Sequence, residues 1–599
     1  MYAFYKKHEY LLIALFVLIS QLAVLPELGD WYPDTDNYTH ARRVLDFLQS
    51  KSWAETPYTH SNYPFGEILH FTRITDLFWL FFSLPAFLFF PLKEAVFWGG
   101  YIFQTGVLTL SAVALVWGLR PVAGPIVRLI AVCLLFVQPS VTETYILIKP
   151  DHHALTAFFC FVTGGGLVRF LFTDDEKDLK IAGIAAALGL WTSIEGLLIC
   201  YGLLTGLAIL FMAGKISARA CAFFCFYHFT AALLCLAVNP PFEGFFSPDN
   251  GRLSFLTVVV GGFTAVAMIL LSLMQDKGML ASFWRRAGAL LFLTGAFAGL
   301  LLLCFTPAVV FAPHFPPIIK GIWADNIVEL QPAVRDWVRF FLGSAPSLLV
   351  FVIGLALLPF CPAKKRAVLV TVLPSLLFLT LLSMKSIRYA RLSSLFTPYI
   401  LAVAFSLRAD QTPRSDKVKG AFLAAVYVLF AAYLAVNYIS VNRMMVLRRT
   451  PIKTIAPYLP DREGAILSDT SSGPEIIWEL NEPVVGTPYH RNIEGIVDDH
   501  LMLYSQNMDE SVALMKKHRI KAIVVFLEID AQPDLFYNMN KRYSFFKKMR
   551  NDGLLARLMS GKDLPCGITE DFNAPPPYTM FKVDFSKCGD TSEIDTSEK

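Results

Sequence analysis

Fourteen long apolar stretches lie between residues 10 and 441, and they limit what this chain can fold into more than any other feature. A helix needs about 20 apolar residues to cross the hydrocarbon core of a bilayer. Lipid offers no hydrogen-bond partners, so only helices and closed barrels span it. Charged residues make up 17% of the chain, against roughly 25% in soluble proteins. The sequence therefore predicts a polytopic α-helical membrane protein. The stretches are residues 10–28, 76–92, 95–118, 123–139, 151–173, 180–194, 195–213, 218–238, 253–275, 286–311, 339–360, 366–383, 390–407 and 418–441.

The positions of lysine and arginine indicate which stretch fails to cross, because cytoplasmic loops carry an excess of both. The stretch 76–92 is short for a membrane span and contains Pro85 and Pro91. If this stretch does not cross the membrane, most loops rich in lysine and arginine lie on the cytoplasmic side with Lys6 and Lys7. If it does cross, nearly every later loop violates the positive-inside rule. We therefore predict about thirteen transmembrane helices, a cytoplasmic N-terminus and an extracytoplasmic C-terminus. The first stretch lacks a small-residue cleavage pattern, which predicts a retained signal anchor.

The pattern changes near residue 446, which divides the chain into two predicted domains. Residues 1–445 form the transmembrane domain, with long outer loops at 29–94 and 312–338. Residues 446–589 contain short β-branched runs separated by helical patterns, which predicts a soluble extracytoplasmic α/β domain with a small, mostly parallel sheet. We expect a disulfide between Cys566 and Cys588 if this domain is extracytoplasmic. The polar tail 590–599 is predicted to be disordered.

Two acidic clusters lie at outer helix ends of the predicted topology. Asp34 and Asp36 directly follow the first apolar span, and Asp151, with His152 and His153, directly precedes another. Carboxylate oxygens are preferred ligands of Mg²⁺ and Mn²⁺, and imidazole suits transition metals. Asp near a helix start is also an ordinary N-cap. Each cluster alone fits either role; their common side favours a shared divalent metal site.

Four further segments place charged or polar residues on the same side. Glu195 lies at a tight hairpin turn, in either a structural or a functional role. Glu329 lies in a long loop that suits a gate over substrate. Arg388 lies at an outer helix start, where the helix dipole disfavours cations and a bound phosphate would compensate. His490 and Arg491 follow a predicted strand end, where open α/β sheets place their ligands.

Taken in order, these segments resemble the C-type glycosyltransferase (GT-C) superfamily, and most closely the catalytic subunit of oligosaccharyltransferases and its single-subunit bacterial and archaeal relatives. The resemblance covers nearly the whole chain, including the thirteen-span topology and the outer C-terminal domain. The segments that carry it are Asp34-Thr35-Asp36-Asn37-Tyr38 with Arg42, Asp151-His152-His153, Asn326-Ile327-Val328-Glu329 (similar to the family's Thr-Ile-x-Glu element) and Arg388-Tyr389.

The resemblance implies transfer of a sugar or oligosaccharide from a polyprenyl-phosphate or polyprenyl-diphosphate donor in the bilayer to an extracytoplasmic acceptor. It implies a divalent metal, Mg or Mn, held by Asp36, Asp151, His153 and Glu329, with His152 and Glu195 as possible additions. Asp36 or Asp34 would orient or deprotonate the acceptor, so Asp34, Asp36, Asp151 and Glu329 are the catalytic candidates. Arg388, His490 and Arg491 would bind the donor phosphate.

One departure leaves the acceptor open between a protein, a lipid and a glycan. The family's Trp-Trp-Asp motif, which reads the acceptor, is missing from the sequence, and the corresponding region reads Ser468-Asp469-Thr470-Ser471-Ser472-Gly473-Pro474. The alternatives are a multi-span transporter and a non-catalytic membrane scaffold for envelope glycoconjugates. A transporter predicts internal repeats and broken mid-membrane helices, and neither pattern is found in the sequence. We expect a bacterial inner-membrane protein in contact with membrane lipids and with no nucleic-acid partner.

Overall fold

The protein is described by a computed structural model that covers residues 2–22, 28–311, 316–409, 418, 425, 451–526 and 553–588. Within these residues, nine helical segments are long and apolar enough to cross a membrane. They confirm the predicted class, a polytopic α-helical membrane protein. The nine are Leu92–Leu119, His152–Thr173, Glu195–Met212, Ala218–Val238, Phe255–Asp276, Phe283–Val310, Trp337–Phe360, Ala363–Ser383 and Arg388–Leu407.

The other four predicted spans differ from these nine in length or coverage. Three match the helices Tyr2–Leu22, Pro125–Val137 and Glu176–Thr192. The fourth, 418–441, lies outside the described residues except for 418 and 425, as does the predicted tail 590–599. The count of thirteen therefore stays a prediction.

The stretch 76–92, predicted not to cross, forms the helix Arg73–Ser83 and a 3₁₀ turn at Ala86–Leu88. The helix has 11 residues, about half of what a span needs. Three further short helices carry or flank the site described below. They are Thr35–Ser50, Pro139–Thr144 and Pro317–Ile322.

Small residues let the central helices pack closely. A Cβ atom added to Gly118 would lie 2.4 Å from the Cα atom of Gly165, so the helices Leu92–Leu119 and His152–Thr173 meet backbone to backbone. Membrane helices associate through such contacts because lipid tails provide no hydrophobic drive between them. This contact fixes the start of the second helix, which carries Asp151, His152 and His153.

The C-terminal domain contains a four-stranded sheet in the order β1-β2-β4-β3, and its predicted mostly parallel arrangement is wrong. The strands are β1 (Ala465–Leu467), β2 (Ile520–Phe526), β3 (Ile568–Asp571) and β4 (Tyr578–Val583). Only β1 and β2 pair in parallel; β4 is antiparallel to both β2 and β3. The short connection from β3 to β4 requires an antiparallel pair.

Several helices flank this sheet, and a disulfide closes its last segment. The predicted strand at Pro483–Gly486 forms only an isolated bridge between Val484 and Ile466. Cys566 and Cys588 form a disulfide bond. The helices are Gly473–Leu480, Ile493–Tyr504, Met508–Lys517 and Leu554–Ser560.

The C-terminal domain rests on the loop between the helices Thr35–Ser50 and Arg73–Ser83. The amide of Asn62 donates to the carbonyl of Val485, and the amide of Val484 donates to the carbonyl of His60. The Tyr489 hydroxyl donates to Thr39 Oγ1 at 2.6 Å. Thr39 lies on the helix Thr35–Ser50, so the domain also positions the helix that carries Asp36.

Candidate active site

The helix Thr35–Ser50 separates the roles of its two acids. Asp34 is the N-cap, and its Oδ1 accepts a hydrogen bond from the amide of Asp36. Its other oxygen, Oδ2, lies 2.6 Å from Lys149 Nζ. Asp36 lies in the first turn of the helix, and within the described residues its carboxylate accepts no hydrogen bond. Asp34 is therefore committed to structure, whereas Asp36 keeps its oxygens for a ligand.

The electrostatics around Asp36 are those of a site built for a cation. Burial and the neighbouring carboxylates of Asp34, Asp151 and Glu329 raise the pKa of Asp36 to about 8. Like charges held close together raise a carboxyl pKa, and a bound cation removes the repulsion. The protein thus gathers carboxylates from three separate segments around Asp36.

Asp151 lies at the centre of a buried group of possible metal ligands. Its Oδ1 is 2.5 Å from His152 Nδ1 and 3.7 Å from His40 Nε2. His40 Nε2 and His152 Nδ1 are 3.2 Å apart. Burial raises the pKa of Asp151, but His152 and His153 outweigh it and hold the pKa well below its usual range. An ionised carboxylate beside two imidazoles is a typical ligand set for a transition metal.

His40 is a possible metal ligand that was not predicted from the sequence. It is fully buried, and burial lowers its pKa, which keeps the imidazole neutral and able to donate a lone pair. A local signal existed, because His40 follows Asp36 by four residues in a helix, and such residues share one face. Phe71 packs against the His40 ring at 4.5 Å between centroids.

His153 and Arg388 are joined through Glu195. His153 Nε2 lies 3.8 Å from Asp151 Oδ2, and its Nδ1 lies 3.4 Å from Glu195 Oε2. Arg388 approaches Glu195 Oε1 with both Nε, at 2.8 Å, and Nη2, at 2.6 Å. Glu195, whose sequence position left its role open, therefore bridges one predicted metal ligand and one predicted phosphate ligand.

Glu329 lies near this group but is paired with a cation. Its Oε2 accepts a hydrogen bond from Arg391 Nη2 at 2.6 Å. Burial raises the pKa of Glu329, but Arg391 and Arg388 outweigh it and hold the pKa at about 2. The backbone of its loop is tied to the turn before Arg388, since Ser386 Oγ donates to the Glu329 carbonyl. Glu329 could bind a metal through Oε1 while still paired with Arg391, whereas binding through Oε2 would require release of Arg391.

The two predicted phosphate ligands of the C-terminal domain have different surroundings. Arg491 is ion-paired with Asp249, which leaves it less available to a phosphate. His490 packs against His70 at 4.7 Å and Trp323 at 6.4 Å between ring centroids. His70 was not predicted; its buried Nδ1 has no partner among the described residues.

Carboxylates and imidazoles thus meet guanidinium groups at the ends of membrane helices. The acidic and imidazole part consists of Asp36, His40, Asp151, His152 and His153, and the basic part consists of Arg388 and Arg391. Such a pairing can hold a cation and a phosphate side by side.

Solved structures with this architecture come from the archaeon Archaeoglobus fulgidus. Its oligosaccharyltransferase AglB, in complex with an inhibitory peptide and a dolichol-phosphate, aligns with a TM-score of 0.66 and 14% identity, covering 99% of this chain and 75% of AglB. The chain has an oligosaccharyltransferase fold. An oligosaccharyltransferase from the same organism in complex with Zn and sulfate aligns with a TM-score of 0.61 and 15% identity, over 86% of this chain and 68% of that one.

A third A. fulgidus oligosaccharyltransferase structure, in the apo form, gives a TM-score of 0.64 and 16% identity over 88% of this chain and 70% of that one. No protein-family model matches the sequence, and no curated protein sequence matches it significantly. The resemblance seen in the sequence is thus confirmed at the level of the fold, although the sequences have diverged widely.

Proposed function

We propose that this protein is a membrane glycosyltransferase that transfers a sugar or oligosaccharide from a polyprenyl-linked phosphate or diphosphate donor to an extracytoplasmic acceptor. One observation carries the proposal. In an oligosaccharyltransferase fold, the Asp36 carboxylate lies close enough to Asp151 for their charges to interact, and His153 and Glu195 connect Asp151 to Arg388. The AglB structure with the same fold contains a dolichol-phosphate, a lipid-linked phosphate of this chemical class.

The residues present fit a divalent metal, Mg or Mn. The Asp151 carboxylate is buried beside the imidazoles of His152 and His40, and Asp36 is surrounded by like charges. Asp36, Asp151 and His153 would hold the ion, with Glu329 joining through Oε1 or, after release of Arg391, through Oε2. His40 and His152 offer further nitrogen ligands. When bound, the ion would neutralise negative charge on the leaving phosphate. The A. fulgidus oligosaccharyltransferase in complex with Zn and sulfate supports a divalent cation as a ligand of this fold.

The basic residues would hold the donor. Arg388 directs two nitrogens to Glu195, and no described residue accepts from its Nη1, which leaves that edge for a phosphate oxygen. Guanidinium groups bind phosphate oxygens in this way. His490 would contribute from the C-terminal domain, and Arg491 would join only by leaving Asp249.

Asp36 would act on the acceptor as well as on the metal. Its carboxylate is the one acid of the pair Asp34/Asp36 without a structural partner, so it is placed to orient or deprotonate the acceptor nucleophile. The acceptor is a protein, a lipid or a glycan. In the segment that stands in for the family's Trp-Trp-Asp motif, Asp469 accepts from the Ser471 amide and the Ser472 hydroxyl, so its oxygens serve the loop itself.

The proposed orientation in the membrane follows from the distribution of lysine and arginine between the loops and from the proposed transfer to an extracytoplasmic acceptor. The N-terminus is cytoplasmic, and the site and the C-terminal domain face the periplasm of a bacterium, with the chain in the inner membrane. Labelling single cysteines introduced at Lys6 and at Glu494 with a membrane-impermeant maleimide in intact spheroplasts tests this orientation. Reaction at position 494 alone is expected, and reaction at position 6 would overturn it.

A transfer assay tests the proposed activity. Membranes containing the protein are incubated with labelled polyprenyl-linked glycans and Mn²⁺ or EDTA. We expect a labelled product that EDTA abolishes and that Asp36→Ala and Asp151→Ala each reduce at least ~100-fold, the scale expected when transition-state charge stabilisation is lost.

Asp46→Ala is the matched control, since Asp46 lies on the same helix as Asp36 and pairs with Arg42 instead of facing the site. It should retain activity. Transfer that survives EDTA and both substitutions would overturn the metal-dependent mechanism. Transport of the lipid-linked glycan without product formation would favour the transporter alternative.

A further inference from the structure

Glu195 begins the helix Glu195–Met212 at the tight turn after Glu176–Thr192. Its carboxylate is almost completely buried, with 2% of its side chain exposed. A buried carboxylate is costly unless it is paired and hydrogen-bonded. A chain that keeps an acid at this turn must therefore compensate for it with specific partners.

The partners of Glu195 come from two different helices. Oε1 receives Arg388 through two nitrogens, and Oε2 faces His153 Nδ1. Neither contact is local in sequence, and Arg388 is separated from Glu195 by 193 residues. Glu195 is thus the group through which the starts of these two helices meet.

The two nitrogens of His153 face two different carboxylates. Nδ1 lies 3.4 Å from Glu195 Oε2, and Nε2 lies 3.8 Å from Asp151 Oδ2 in the candidate metal site. A carboxylate accepts hydrogen bonds and cannot donate them. Asp151 is itself a candidate metal ligand, whereas Glu195 is the nearer carboxylate and is paired with Arg388, so Glu195 favours the tautomer with the proton on Nδ1. The lone pair of Nε2 is then directed at the metal. Metal-ligating histidines commonly have such a carboxylate on the second nitrogen.

We propose that Glu195 is a positioning residue that sets the tautomer of His153 for the metal and orients Arg388 for the donor phosphate. This inference rests on the proposed function and adds to it a single carboxylate that holds both halves of the site. Glu195 itself touches neither metal nor donor. Its negative charge is already balanced by Arg388, so it supplies geometry to the site through its two partners.

The substitution Glu195→Gln separates this role from a merely structural one. A glutamine has nearly the same shape and can still accept from Arg388 through its amide oxygen. Its NH₂ group then faces His153 Nδ1 as a donor. Nδ1 must accept, the proton moves to Nε2, and the lone pair for the metal is lost. The residue that binds the metal changes tautomer while the packing stays the same.

Metal binding is measured directly on the full-length protein in nanodiscs, by electron paramagnetic resonance of free Mn²⁺ during titration. Glu195→Gln is expected to weaken Mn²⁺ binding about 10–100-fold, the usual effect of removing such a partner. Glu55→Gln is the matched control, because Glu55 is also a buried carboxylate paired with an arginine, Arg252, and lies away from the metal ligands. It should bind Mn²⁺ within about twofold of the wild type, the scatter of such a comparison.

A double-mutant cycle distinguishes positioning from a general loss of structure. If Glu195 acts through His153, Glu195→Gln should have no further effect on Mn²⁺ binding in a His153→Ala background. An additional loss in that background would show a structural defect and overturn the inference. In the transfer assay, Glu195→Ala, which removes the acceptor of Arg388, should also raise the KM for the donor.

The possible failures are distinct. A wild-type protein that binds no Mn²⁺ overturns the proposed metal site and this inference together. Wild-type binding with an unchanged affinity in Glu195→Gln overturns the role of Glu195 alone. Weakened binding in Glu195→Gln without any transferase activity in the wild type supports Glu195 as a metal-site residue and overturns the proposed function.

Discussion

Replacing Asp36 by asparagine should make the metal-free protein more stable while removing its stabilisation by metal. Repulsion and burial raise the pKa of Asp36 from 3.8 to about 8. Between these pH values the folded metal-free protein binds a proton that the unfolded chain lacks. Its stability therefore falls as pH rises through this window.

The pKa values give the size of the effect. At pH 7.5, keeping Asp36 protonated costs at most roughly 5 kcal/mol, which is 7.5 − 3.8, or 3.7 units, at about 1.36 kcal/mol per unit. Asp36 is only half-buried, so solvent screening makes this figure an upper bound. Asparagine carries no charge and avoids the cost. For a chain of 599 residues, a rise in Tm in EDTA of about 1 °C is expected for each ~1 kcal/mol recovered.

Thermal unfolding of the purified protein at pH 7.5, with EDTA or with Mn²⁺, tests this prediction. Mn²⁺ should raise the Tm of the wild type. The Tm of Asp36→Asn in EDTA should be higher than that of the wild type, and Mn²⁺ should raise it little. Asp46→Asn, on the same helix, should behave like the wild type. An Asp36→Asn variant that is less stable than the wild type in EDTA would refute the reasoning, because the carboxylate would then be stabilising the metal-free fold.

Three further predictions concern other parts of the molecule. Since Asp36 must lose its proton to bind a cation, apparent Mn²⁺ affinity should rise about tenfold per pH unit from pH 6 to 8 and level off above, and this slope should be absent in Asp36→Asn. Replacing Cys566 and Cys588 by serine opens a link with a sequence separation of 22 residues. The loss should be about 3 kcal/mol, measurable as faster proteolysis of the C-terminal domain. Gly118→Leu should prevent close packing against Gly165 and reduce the yield of folded protein in detergent by size-exclusion chromatography, whereas Gly288→Leu, with open space around its Cβ position, should not.

The sequence predicted the membrane helices well because their signal is local. A run of apolar residues has the same consequence in any tertiary context, since lipid accepts only backbone that is hydrogen-bonded within itself. The short helix at Arg73–Ser83 agrees with this reasoning, because prolines at 85 and 91 limit helical length. The sheet was predicted less well, because the pairing of β4 between β2 and β3 depends on contacts between distant strands.

The candidate site, like the fold, was only partly predictable from the sequence. The sequence by itself placed Asp151, Glu195 and Arg388 at the ends of apolar spans, and Asp36 and Glu329 in loops between spans, because charged residues are largely excluded from the hydrocarbon core. Only the tertiary structure decided their pairing: His40 with Asp151, Glu195 with both His153 and Arg388, and Glu329 with Arg391. These contacts join residues separated by up to 193 positions in the chain. No local pattern encodes them, because they arise from how the helices pack together.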